Sequence, residues 1–180
     1  GKDYALSTNS DIYLYDTETG STENLTRGLK GYDRYPVFSP KGTHLAWQSM
    51  KTPGFEAETE RLYVLYLLTG KMECITENFD QDATNLTWSD DSKIIYFISG
   101  IKATYQIYSA DLKTKDIVQI TSGTHDFNSF KKGNNCLIGS KMTMSMASEL
   151  FRLDPLTGEE VKLSFINDEI YKNIKLGKVE

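Results

Sequence analysis

The chain is short of the residues that do most enzyme chemistry: its 180 residues include two cysteines, two histidines and four prolines. Cys74 and Cys136 stand far apart, too few for a disulfide framework or a zinc cluster, and read as buried free thiols. No apolar run approaches the roughly 18 residues needed to span a bilayer, so no membrane span is expected. The opening residues Gly1-Lys2-Asp3-Tyr4 lack the charged-then-apolar pattern of a signal peptide. The net charge is −5, without a basic stripe to neutralise phosphates, which argues against a nucleic-acid partner. Gly-x-Ser-x-Gly, whose small residues permit the strained turn that carries a serine nucleophile, does not occur. His44 and His125 lack the pattern of a triad; Asp126 is only a sequence neighbour of His125. Asp80-Gln81-Asp82 and Asp90-Asp91 are acidic pairs without the spacing of a calcium loop, and the second pair falls where a turn is expected. Asn24-Leu25-Thr26 and Asn85-Leu86-Thr87 match glycosylation sequons but are read as structural. No catalytic residue, cofactor site or metal site is expected within these residues.

What the chain does have is a repeat. An aromatic residue is followed seven positions later by a turn position and six after that by a hydroxyl residue. The copies are Tyr13/Gly20/Thr26, Tyr63/Gly70/Thr76, Tyr108/Lys115/Thr121 and Phe151/Gly158/Ser164. Successive units start 50, 45 and 43 residues apart. Aromatic residues make up 12% of the chain, which favours strands. A period in the forties with strand-like content marks the blades of a β-propeller.

Each unit reads as a meander of four short antiparallel strands. In the second copy the strands fall at 35–39, 44–48, 61–66 and 72–76, separated by Pro40-Lys41-Gly42, a longer loop and Leu68-Thr69-Gly70-Lys71. The third and fourth copies repeat the scheme, with Phe38–Leu45, Trp88–Ile95 and Phe130–Leu137 all seven apart. The first copy has its second, third and fourth strands at Tyr4–Ser7, Asp11–Tyr15 and Glu23–Thr26 and lacks the first. The expected fold is therefore all-β: a partial propeller over 1–165, with blades at roughly 1–29, 30–79, 80–123 and 124–165. Three are full and one has three strands, and exposed blade edges would be open to self-association. Residues 166–180 leave the pattern. Glu169–Ile174 fits one more strand, an exit segment toward a further domain, or an ordered tail.

The motifs carry a family resemblance. Val37-Phe38-Ser39-Pro40-Lys41-Gly42-Thr43-His44-Leu45-Ala46-Trp47-Gln48-Ser49 resembles the TolB-type repeat, and Trp88–Ser99 resembles it more weakly. The whole chain looks most like the propeller of a prolyl oligopeptidase-family serine peptidase, of the bacterial dipeptidyl-peptidase and acylaminoacyl-peptidase branch. The Pro53-Gly54-Phe55-Glu56-Ala57-Glu58 stretch and the segment from Ile170 to Glu180 both point that way. The resemblance implies a missing α/β-hydrolase domain that supplies the catalytic residues. It also implies a propeller that shields the site and filters or positions peptide substrates. It implies a periplasmic or secreted location, with a cytoplasmic one left open. A TolB-like module that binds a protein partner is the alternative, and a freestanding β-protein the third reading.

The loop from Lys51 to Glu60 lengthens its blade and carries Glu56, Glu58 and Glu60. In a meander it emerges at the end where the blades are connected, so Asp33, Asp80, Asp82 and Asp126 are expected on the same face. Clustered carboxylates there would attract the free ammonium of a peptide. Glu56 and Glu58 are the candidate substrate-binding residues; a solvated charged loop is the plainer reading.

Overall fold

The computed structural model describes residues 7–177. They form fourteen strands and one short helix. Three sheets are four-stranded antiparallel meanders in sequence order. The first holds β3 (Asp33–Phe38), β4 (His44–Ser49), β5 (Arg61–Tyr66) and β6 (Lys71–Cys74). The second holds β7 (Thr84–Trp88), β8 (Ile94–Ile101), β9 (Thr104–Asp111) and β10 (Ile117–Gln119). The third holds β11 (Asp126–Gly133), β12 (Cys136–Thr143), β13 (Met146–Leu153) and β14 (Glu160–Lys162). Before them, β1 (Tyr13–Tyr15) pairs with β2 (Thr22–Asn24). The expected strand at Tyr4–Ser7 falls almost wholly outside the described residues, and Ser7 itself is not in a strand. The fold is a partial, open propeller.

The 13-residue unit has one physical cause in all four copies. Its turn position adopts a left-handed backbone: φ is 72° at Gly20, 69° at Gly70, 62° at Lys115 and 74° at Gly158. Glycine suits that geometry, and Lys115 tolerates it at a steric cost. In three copies an aspartate three residues after the aromatic ties the turn down. Asp16, Asp111 and Asp154 each accept two backbone N–H bonds through Oδ1. Tyr66 stands at this place in the remaining copy. The hydroxyl at the unit's end accepts a bond from the N–H of the residue before the aromatic, at 2.8–3.0 Å in every copy.

Blades pack face to face through three apolar clusters. Ile12 meets Leu45, Trp47 and Leu65 between the first pair. Ala46, Leu62, Val64 and Ile75 meet Trp88, Ile95 and Phe97 between the second. Tyr96, Ile98 and Ile107 meet Phe127, Phe130, Leu137 and Leu153 between the third. Apolar residues on both faces of the middle sheet explain why its strands read as continuous hydrophobic runs.

The tail differs from one of its readings. Glu169–Ile174 does not make a strand: α1 spans Asp168–Tyr171. Side chains, not a sheet edge, hold this segment. The buried Glu149 accepts bonds from the N–H and the side-chain amide of Asn167 at 2.9 and 3.0 Å and from the Ser164 hydroxyl. Lys162 Nζ lies 2.6 Å from Asp168, and the Tyr171 hydroxyl accepts a bond from Ala147 N.

Candidate functional site

The Lys51–Glu60 loop is built around Glu58. Its Oε2 accepts bonds from the N–H groups of Lys51 and Thr52 at 3.0 and 2.5 Å, and its Oε1 lies 3.5 Å from Arg61. This carboxylate is occupied in closing the loop. Gly54, at φ 78°, turns the chain, and Lys51 Nζ reaches Glu77 at 2.8 Å. At the loop's end the N–H of Glu60 donates to Asp82 Oδ1 at 2.8 Å, and the Glu60 carbonyl accepts from Ala83 N. These bonds fasten the loop to the connection between two blades.

The result is a cleft of about 290 Å3 lined by Glu56, Glu58, Glu60, Asp80, Gln81 and Asp82. Two arginines neutralise part of it: Arg61 beside Glu58 and Arg34 paired with Glu60. Among the described residues Glu56, Asp80 and Asp82 have no cation within 4.0 Å. Burial without a cation pushes the Asp82 carboxyl above its ordinary range. The cleft therefore carries unbalanced negative charge and suits a cationic group.

Of the other acids expected on this face, Asp33 is not available to a ligand. It is buried at the start of β3, where Oδ1 accepts a 2.8 Å bond from Trp47 Nε1 on the neighbouring β4. Asp126 Oδ1 accepts a bond from Tyr105 N at 2.8 Å and fastens one blade to the next. The two histidines have structural surroundings. His44 stacks against Trp88 at 5.8 Å and meets Tyr66 edge-on. His125 packs edge-on against Phe127, with Nε2 3.7 Å from Glu160; burial and the Lys141 ammonium pull its pKa down.

A larger cavity, about 580 Å3, adjoins the cleft through their shared lining residue Glu60. It is lined by the first strands of all three full blades, which marks these as the inner strands. Each of them carries a bulge at a matching place, between Arg34 and Val37, Thr84 and Thr87, and Phe127 and Ser129. Tyr35 and Asn85 sit in these bulges at φ 55° and 54°. The seven-residue spacing from the first strand to the second gives no sign of the bulges, because each lies before the counted residue and leaves that spacing unchanged.

Over 158 residues the chain is 40% identical to dipeptidyl-peptidase 5 of Porphyromonas gingivalis, a match that takes in 88% of this chain and 23% of the relative. The chain carries a partial β-propeller of the prolyl oligopeptidase family. It is also 39% identical over 168 residues to dipeptidyl-peptidase 5 of Porphyromonas endodontalis, and spans about a quarter of the length of these curated relatives, 24% in this case. No protein-family model matches it. Acylaminoacyl peptidase from Pyrococcus horikoshii superposes with a TM-score of 0.74 at 24% identity, covering 92% of this chain and 24% of that one. TolB from Acinetobacter baumannii gives 0.66 at 19% identity, covering 91% and 39%. These two likenesses speak for the fold alone. Among the described residues no helix is long and apolar enough to cross a membrane.

Proposed function

We propose that this partial propeller is the non-catalytic, substrate-facing portion of a serine exopeptidase that acts on peptides with a free amino end. The acidic cleft carries the reading. Glu56 and Asp80, without cations of their own among the described residues, would pair with the substrate's ammonium, while Glu58 holds the loop that presents Glu56. Homology to proteins named dipeptidyl-peptidase 5 supports this, since an enzyme that removes dipeptides has to recognise an amino end. The propeller would shield the active site and admit peptides by size. Residues 166–180 would lead toward a hydrolase domain, in a protein working in the periplasm or outside the cell.

Two measurements test the proposal. The gene downstream of Glu180 is expected to encode Gly-x-Ser-x-Gly within roughly 250 further residues, the size of a domain and linker; a stop codon at that point removes the peptidase reading. In the complete polypeptide, Glu56→Gln with Glu58→Gln should lower kcat/KM for free-amine dipeptide substrates about tenfold, the scale of one lost charge-assisted bond. Unchanged kinetics would remove the role of the cleft.

A further inference from the structure

The cavity along the inner strands has chemistry that the acidic cleft does not use. Its walls present Tyr35 and Tyr105, exposed by 66% and 57% although both belong to strands. Asn85 is held at φ 54°, and its Nδ2 donates to the Phe130 carbonyl at 3.2 Å. Among the described residues its Oδ1 accepts no bond. Asn128 stands in the next bulge, on the same cavity. Lys131 lines the cavity and, among the described residues, has no carboxylate within 4.0 Å.

We infer that this cavity is a second peptide subsite, which takes the C-terminal part of a short free-ended oligopeptide and sets its carboxylate on Lys131. The inference rests on the acidic cleft receiving the amino end of the same peptide. Side-chain amides match the donor and acceptor of a peptide unit, and tyrosine rings offer apolar faces with polar tips. One lysine suits a single carboxylate, whereas a polyanion would call for several cations. The two cavities meet at Glu60, which is neutralised by Arg34 and, in the amide orientation its neighbours require, bonded by Gln48 at 3.0 Å. Negative charge at one end and positive at the other would orient the peptide. Bulges that turn side chains out of an inner strand are a recurrent way to aim groups at a ligand.

Titration calorimetry on the 180-residue chain tests this with tetra-alanine, its C-terminal amide and its N-acetyl form. The amide should bind about three- to fivefold more weakly than the free peptide, the scale of one exposed ion pair. Lys131→Met should reduce the free peptide to the level of the amide and leave the amide unchanged. Asn85→Gly, which keeps the left-handed backbone and removes the side chain, should weaken both. Equal binding of free peptide and amide, or a Lys131→Met variant that still separates them, overturns the inference, as does the absence of binding at millimolar peptide. Acetylation reports on the cleft independently. If it has no effect while amidation does, the cleft reading fails and the lysine subsite stands; the reverse result removes the subsite and keeps the cleft.

Discussion

The hydroxyl of Thr76 accepts a 2.9 Å hydrogen bond from the buried backbone N–H of Leu62, fourteen residues earlier in the chain. The same N–H would otherwise be an unmatched donor where the third strand of the blade outruns the fourth, because β6 ends at Cys74. Thr26, Thr121 and Ser164 do the same for Ile12, Ile107 and Leu150. Thr76→Val keeps shape and removes the acceptor, and should cost about 1–3 kcal/mol, the scale of stranding a buried donor. Thr76→Ser should stay near the parent. Urea unfolding midpoints for the two variants check this; equal midpoints would mean that water or another group satisfies Leu62.

Equivalent repeat positions should differ sharply in the energy of truncation. Leu62 and Ile107 are 0% exposed because the following blade covers them, whereas Leu150, in the last blade, is 47% exposed. Leu62→Ala and Ile107→Ala should each destabilise by about 2–5 kcal/mol. Leu150→Ala should cost well under that range in the 180-residue chain. A large loss at Leu150 would show that its face is covered in solution.

Glu149 predicts the acid side of the stability profile. Bonds from the Ser164 hydroxyl and then the Asn167 N–H hold its carboxyl down to about 2, from an ordinary 4.5. A carboxyl depressed in the folded state stabilises above its unfolded value, and that contribution fades as the pH falls from about 4.5 toward 2. Glu149→Gln should therefore flatten the loss of stability over this window and lower stability at neutral pH. Thermal midpoints between pH 2 and 7 measure it; parallel curves for parent and variant would refute the assignment.

Gly31 is required by space. A Cβ built on it would lie 2.1 Å from the Met50 carbonyl oxygen, and backbone cannot move aside as a side-chain end can. Gly31→Ala should destabilise by about 1–3 kcal/mol or more, as overpacking does. Gly177→Ala, where a Cβ meets nothing within 4 Å, serves as the neutral control.

Glu58→Gln should loosen the Lys51–Glu60 loop without shifting the global transition. The amide oxygen is a weaker acceptor for the N–H groups of Lys51 and Thr52, and the attraction to Arg61 is lost. Faster proteolytic nicking near Phe55, at an unchanged urea midpoint, is the expected result. Unaltered nicking would mean that Glu58 does not secure the loop.

The sequence alone determined the blade count, the strand order and the family. Aromatic, turn and hydroxyl spacing is a local pattern, fixed by a left-handed turn and a bond that spans one hairpin. Such geometry survives wherever the hairpin is placed. The same spacing also put Glu56 and Glu58 on a loop at the connecting end of the blades. Only the tertiary structure separated their roles, because which carboxylate is engaged by Lys51, Thr52 and Arg61 depends on how the loop folds back. It also withdrew Asp33 from the candidate face by burying it against Trp47, and made Asp168–Tyr171 a helix in a segment that the side chains of Glu149 and Lys162 hold. The inner-strand bulges belong there too. Tyr35, Asn85 and Asn128 lie about 50 and 43 residues apart in the chain, and the packing of one blade on the next brings them onto one cavity.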